Sequence, residues 1–411
     1  MSGRSGMRAP RSRLAGGLAA GVAAAGIALA LTTGAGASTP EGFTPPTATT
    51  TSTTPDAPVA TFTIPGSIAV LPTISADGDT VAWSIPEGGE WTLHAAVDGK
   101  AIDHVFDRQR WPIDVSVGHA TGEDPVVLFS RCARSKAKTR LRAQGCDLYR
   151  LSSVADRGTP VLLTSVADRG KVANLRGAST NVGSETVPSL AGHWLLFART
   201  DPSRQHGSLV ARDTRNGAEH LLPHGDLGRC SGSCAKNGFA AGTPKATSIA
   251  GSRFGVLWES TGGADALGIS GNDEVLRGSV TSSRLGSSAG RSFVSGTDSS
   301  VQYSSVQQLG TTTQDVRHAY DGDGPTPAPG SQDVVQRVTS GGKVSEYADP
   351  QGRRIVAAAA AGDRLWLIRD AQAIPAGTRV DLQPELCSAD VGGCTIESIP
   401  YPAFKAVSRR P

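Results

Sequence analysis

Ser75-Ala-Asp-Gly-Asp-Thr-Val-Ala-Trp-Ser84 is the stretch on which the fold turns: small and acidic residues, a turn glycine, then an apolar run ending at an aromatic. Three further segments share the layout: Leu190-Ala-Gly-His-Trp-Leu-Leu-Phe-Ala198, Ile249-Ala-Gly-Ser-Arg-Phe-Gly-Val-Leu-Trp258 and Ala360-Ala-Gly-Asp-Arg-Leu-Trp-Leu-Ile368. Their glycines, Gly78, Gly192, Gly251 and Gly362, are spaced by 114, 59 and 111 residues, close to 2:1:2 of a unit of about 57. A fixed period of this length is the mark of a repeat architecture. The spacing demands two further members: Asp124-Pro-Val-Val-Leu-Phe-Ser130 fills the first gap and Gln314-Asp-Val-Arg-His-Ala-Tyr320 the second.

Each run is followed by a second alternating stretch that ends in a turn, such as Trp91 to Gly99, Cys146 to Ser152, Ser208 to Gly217 and Asp333 to Gly342. Asp-Gly, Asn-Gly and Gly-Gly between alternating runs are hairpin signals. No stretch after residue 37 sustains a 3.6-residue apolar period with caps, so the sequence reads as all-β. Six units of several short strands predict a six-bladed β-propeller of four-stranded antiparallel blades. Val59 to Ile64 precedes the first unit and is expected to pair with the last, closing the ring and removing a free edge. The competing layout, two β-sandwiches, leaves the 2:1:2 spacing unexplained.

Ser75 to Ser84 resembles the Ser-Pro-Asp-Gly turn and following strand of WD40-like repeats in TolB-type six-bladed propellers. Cys146-Asp-Leu-Tyr-Arg-Leu and Leu209-Val-Ala-Arg-Asp-Thr-Arg-Asn-Gly-Ala-Glu-His-Leu-Leu222 resemble the strands that follow it. The resemblance spans about residues 62 to 404; only the first unit keeps Asp-Gly in full, and Gly262 to Ser300 is so rich in Gly and Ser that its blade is the weakest. The resemblance implies an exported scaffold that binds through one face or its channel, with no catalytic residues to carry over.

The domain reading places a signal peptide at 1–37, a disordered Thr/Pro-rich linker at 38–60, the propeller at 61–405 and a tail at 406–411. Residues 1–13 are basic, 14–31 are uncharged and apolar, and Ala35-Gly-Ala37 offers small residues for cleavage. Retention of this segment as an anchor is the rival, and the one route by which a membrane enters the reading. The linker is too polar and proline-rich to bury a core.

Removing Arg4, Arg8, Arg11 and Arg13 from the 40 basic residues leaves 36 against 37 acids. So even a balance gives no case for nucleic acid, which requires a concentrated basic face. Six cysteines in three close pairs, Cys132 with Cys146, Cys230 with Cys234 and Cys387 with Cys394, predict local disulfides in an oxidising compartment. A zinc site at Cys230 and Cys234 would need His220 and His224, and Pro223 between those two breaks a helical His-x-x-x-His face.

A catalytic motif is not legible. Gly286-Ser-Ser-Ala-Gly290 fits the nucleophile-elbow pattern, but with 50 glycines in the chain about one such match arises by chance, and Ser288 sits in a loop-like stretch. Asp321 and Asp323 on an Asp-Gly-Asp-Gly turn could meet a hard cation, without the full calcium-loop pattern. Trp83, Trp194, Trp258 and Trp366 fall in repeated apolar runs and are expected in the core. Trp111, in Arg110-Trp-Pro112, lies outside that pattern and is the candidate ligand-contacting aromatic.

The sequence therefore reads as a monomeric, secreted or cell-surface, non-catalytic binding module for an envelope protein or glycan, needing no cofactor. The alternative is a propeller glycan hydrolase or lyase with its site at the central channel.

Overall fold

The computed structural model describes residues 58–64, 71–110, 112–133, 144–151, 153–163, 184–201, 206–222, 242–261, 271–281, 301–319, 333–375, 378 and 384–407. The chain divides into two compact units, 1–41 and 42–411, and all described residues belong to the second. The signal, linker start and C-terminal end expected from the sequence lie outside them, as do Trp111, Cys230, Cys234, Ser288, Asp321 and Asp323.

The described residues are all-β apart from one short 3-10 turn, Ala389–Val391. Strand β1 (Ala60–Phe62) precedes a first meander of β2 (Thr73–Asp77), β3 (Thr80–Glu87) and β4 (Glu90–Val97), edged by β5 (Lys100–Ala101) and β6 (Asp107–Gln109). A second comprises β7 (Val115–Ala120), β8 (Val126–Ala133), β9 (Gln144–Leu151) and β10 (Pro160–Leu162). A third comprises β11 (Ser184–Gly192), β12 (Trp194–Asp201), β13 (His206–Asp213) and β14 (Glu219–Leu222). Then follow β15 (Gly242–Ala250), β16 (Arg253–Thr261) and β17 (Gly271–Ser279). Next come β18 (Val301–Leu309), β19 (Thr312–Ala319), β20 (Val334–Thr339) and β21 (Val344–Ala348). The last group is β22 (Ile355–Ala361), β23 (Arg364–Asp370) and β24 (Cys394–Pro400), with β25 (Lys405–Val407) returning to the edge of β21.

This is a β-propeller-like arrangement. The hydrogen-bonded sheets number five among the described residues, because a short parallel pairing, Ala191↔His119 and Gly192↔Ala120, merges the second and third meanders into one eight-stranded sheet. Among the described residues the sheet of β15, β16 and β17 has three strands, the last of them within the Gly/Ser-rich stretch. As expected, β1 pairs with β24 in the register Ala60↔Ile396 to Phe62↔Cys394, so a strand that precedes the first meander completes the last sheet.

The repeat has a backbone cause. Gly78, Gly192, Gly251, Gly310 and Gly362 all turn from the first strand of a meander into the second with φ between 54° and 59°, a left-handed conformation that costs glycine least. Gly310 is the member hidden from the sequence reading.

First strands pack one on the next: β2 on β7, β7 on β11, β11 on β15, β15 on β18, β18 on β22 and β22 on β2. Polar side chains bond across these joints to backbone. Thr73 Oγ1 donates to Ile113 O, Thr247 Oγ1 to Val187 O, and Ser75, Ser248 and Ser305 accept from Val117, Gln308 and Ala358 N–H.

Because each sheet is covered on both sides, the alternation of a half-exposed strand fades, and β22 is buried at all seven positions. Its Ala357 to Ala361 let Gln307 reach through: the amide donates to Ala360 O and Ala76 O at 2.9 Å each and accepts from Ala360 N–H at 2.6 Å. Trp83 and Trp366 stack at 6.2 Å within the cluster joining the first and last sheets. Trp194, expected in the core, is only partly buried, beside His193 and His220.

Two of the three expected disulfides fall among the described residues and both are formed, Cys132–Cys146 and Cys387–Cys394; the third expected pair, Cys230 with Cys234, lies outside them. The first links residues directly opposite on β8 and β9. The second closes the loop on which β1 docks, where Ile64 N–H donates to Cys387 O.

Candidate functional site

Four first strands, β11, β15, β18 and β22, each carry a register shift near their start: Thr186/Ser189, Pro244/Ala246, Tyr303/Ser305 and Ile355/Ala357. A bulge sets one residue outside the ladder and re-aims its side chain. Here the shifts ring one end of the channel, where a pocket is lined by Thr73, Ser75, Asp114, Val187, Lys245, Thr247 and Ser304 to Val306.

In β18 the residue outside the ladder is Ser304. Gln302 stands opposite His318 of β19, so Ser304, two residues along, lies diagonal to His318 on the same face. Val334 of β20 pairs with Arg317, which brings Asp333 level with His318 on the far side. The consequence is a chain of contacts across one sheet. Ser304 Oγ is 2.9 Å from His318 Nε2, and His318 Nδ1 is 3.1 Å from Asp333 Oδ1. Ser304 lines the pocket, while His318 is buried behind it.

The order nucleophile, base, orienting carboxylate is that of a Ser-His-Asp triad, which is recognised by geometry rather than sequence position. A proton on Nδ1 donated to Asp333 leaves Nε2 as the acceptor, the tautomer a general base requires. The Ser304 hydroxyl also reaches Val356 O at 2.5 Å. Proton transfer to Nε2 requires that hydrogen to turn from the carbonyl to the imidazole.

Two groups complete the setting. Asp114 accepts from Ser130 N–H and Oγ–H at 2.7 and 2.5 Å, and from Val187 N–H. Burial raises its pKa, and those hydrogen bonds only partly oppose the rise. Its bond to Val187 fixes the bulge of β11 in a positive-φ conformation, 48°. Behind the triad, Asp370 is paired with Arg354 at 2.5 Å and accepts from Cys387 N–H at 2.8 Å. Its pKa is raised by burial first and also by the charge of Asp333. The only cluster of metal-ligand type among the described residues, Asp370 with Cys387 and Cys394, has its sulfurs in the disulfide.

At the opposite mouth, His119 Nδ1 and Asp77 form a close pair that raises the histidine's pKa. Of the candidates named from sequence, the described residues include only the four bridged cysteines, and those do not line this pocket. The triad went unread because Ser304 follows the Gly/Ser-rich stretch in which no strand was assigned. The signal that existed was a histidine and an aspartate, His318 and Asp333, at the facing ends of two adjacent runs.

No protein-family model matches the chain, and no curated protein matches it in sequence. Solved structures with a similar strand arrangement exist. An alpha-L-arabinofuranosidase from Fusarium graminearum aligns over 84% of this chain and 97% of its own, at 12% identity and a TM-score of 0.43. An acylaminoacyl peptidase from Pyrococcus horikoshii aligns over 73% of this chain at 9% identity and a TM-score of 0.37; this chain spans 41% of it. A putative TolB from Agrobacterium tumefaciens covers 67% of this chain and 79% of its own, at 17% identity and a TM-score of 0.36.

Similarity at this level concerns the fold alone. It nevertheless corrects one expectation. The reading as a non-catalytic binding or scaffold module took a propeller without a legible motif to be a scaffold. Its structural neighbours are mostly propeller enzymes, among them peptidases and a glycosidase, so the fold carries no such implication.

Proposed function

We propose that this chain is an extracytoplasmic hydrolase on a six-bladed propeller, with Ser304 as nucleophile, His318 as general base and acid, and Asp333 as the residue that orients the histidine. The observation that carries the reading is the pair of contacts from Ser304 to His318 and from His318 to Asp333, at 2.9 and 3.1 Å, opening on a channel-end pocket. The ring of first-strand contacts through β2, β7, β11, β15, β18 and β22 supports the blade number, with β1 as the closing strand. The two disulfides support an oxidising compartment. The export segment at 1–37 and the linker that follows it, which ends before β1 rather than at residue 60, fit the same placement, and an envelope glycan is the substrate carrier in this reading.

The donor set selects the bond that is cut. Glycosidic cleavage calls for two carboxyls roughly 5–9.5 Å apart across the scissile bond. Among the described residues lining the pocket there is a single carboxyl, Asp114. A serine backed by a histidine instead attacks an acyl carbon, so the substrate is an ester or amide on the glycan rather than the glycan backbone.

In the first half-reaction Ser304 Oγ bonds to the acyl carbon as its proton passes to His318 Nε2. That proton then leaves with the alcohol, and water repeats the sequence to release the acid. Asp333 holds the imidazole through Nδ1 and stabilises its cation.

The test is labelling of the full-length protein with a fluorophosphonate, followed by peptide mass spectrometry and hydrolysis assays. An adduct on Ser304, absent in Ser304→Ala, together with a fall of roughly 10³–10⁴ in kcat for Asp333→Asn, is the expected result. A folded protein with no adduct at Ser304 would overturn the assignment.

A further inference from the structure

We infer that the acyl group removed at Ser304 is acetyl, so that the substrates are acetate esters. The inference rests on the hydrolase reading above and adds the size of the acyl half.

The cavity beside Ser304 has a volume of about 30 Å³. One water molecule needs roughly 10–15 Å³ on that scale, so the space takes about two or three non-hydrogen atoms. That is the carbonyl oxygen and methyl of an acetyl group whose carbon has bonded to Oγ. A longer acyl chain meets a wall that cannot retreat easily. Ser305 Oγ accepts from Ala358 N–H across the joint to β22, Thr247 Oγ1 donates to Val187 O across the joint to β11, and Val187 N–H is held by Asp114. Ser305, Thr247, Val187 and Asp114 line the cavity and are each tied to an adjacent strand, so enlarging it means separating packed sheets. At the rim stands Lys245, exposed to solvent; the alcohol half leaves on that side, and its size is unrestricted by the cavity.

The step balances without any added reagent. Oγ forms a bond to the acetyl carbon, the bond from that carbon to the alcohol oxygen breaks, and the Oγ proton travels through His318 to the departing oxygen. Water then cleaves the acetyl-serine, giving acetate and restoring the Ser304 hydroxyl.

The experiment compares p-nitrophenyl acetate, butyrate and octanoate on the full-length protein, with Ser304→Ala as control and circular dichroism to verify that the variant is folded. Each methylene that does not fit costs roughly 10-fold or more in kcat/KM. The expected result is therefore a fall of about 100-fold from acetate to butyrate, no measurable octanoate hydrolysis, and loss of activity in Ser304→Ala. Val306→Ala, which widens the cavity without touching the triad, should raise butyrate relative to acetate by about 10-fold.

Ser304-dependent hydrolysis of butyrate or octanoate as fast as acetate would overturn the acyl-size inference and leave the hydrolase standing. Absence of Ser304-dependent hydrolysis of all three, with no fluorophosphonate adduct at Ser304, would overturn both.

Discussion

Replacing Gln307 by alanine should strike the joint that closes the ring. The amide of Gln307 makes four hydrogen bonds: to Ala76 O and Ala360 O at 2.9 Å, from Ala360 N–H at 2.6 Å and from the Gln314 amide at 3.4 Å. All lie in the buried seam where β18, β22 and β2 meet, so water cannot take the place of the lost partner. Truncation leaves the Ala360 N–H and the Gln314 amide without their acceptor, at roughly 1–3 kcal/mol each, and a polar void beside them. We expect a total loss of about 3–5 kcal/mol. For the roughly 240 described residues the entropy of unfolding is near 0.5 kcal/mol per kelvin, so Tm should fall by about 6–10 °C. Urea denaturation and differential scanning calorimetry of the full-length protein give both numbers, with the exposed Lys343→Ala as a control expected to stay within about 0.5 kcal/mol. A loss below about 1 kcal/mol for Gln307→Ala would refute the view that this amide staples the first strands together.

Three other outcomes follow from particular contacts. Gly393 has φ of 79°, and a Cβ there would lie 2.3 Å from Phe62 O; Gly393→Ala should lift β1 from β24 and raise hydrogen exchange at Ala60 to Phe62, while exchange in β12 stays unchanged. The His119–Asp77 bond raises the histidine's pKa, so its contribution is full below about pH 6.5 and is lost as pH rises through the raised value. His119→Gln should accordingly flatten the slope of Tm against pH above about 6.5, and an unchanged slope would show that the pair adds nothing to folding. Peptide mapping without reduction should recover Cys132 with Cys146 and Cys387 with Cys394, and any cross-sheet pairing would contradict the register of β8 with β9.

Much of the fold was legible because it rests on local chemistry. A left-handed turn needs glycine wherever it occurs, so Gly78, Gly192, Gly251 and Gly362 marked the repeat before any tertiary contact was known. Alternating runs and hairpin turns marked the strands, and cysteines seven and fourteen residues apart marked two bridges. Gly310 was missed because no aromatic follows it on β19. The burial of Trp194 was overestimated because periodicity shows which side of a strand is apolar, not how much of that side the neighbouring sheet covers.

The site is of the opposite kind. Ser304 lies on β18, His318 on β19 and Asp333 just before β20, 14 and 15 residues apart along the chain, and nothing in those intervals forms a contiguous motif. What joins them is the register of β18, β19 and β20 together with the strand alternation that puts Ser304, two residues from Gln302, on the face His318 occupies. Register is settled by the packing of whole sheets, since a slip of one residue reverses every side chain. The sequence alone determined an all-β repeat with glycine turns, closable by its own first strand and suited to an oxidising compartment. Only the tertiary structure decided which serine meets which histidine, because that meeting depends on distances across strands that no spacing along the chain encodes.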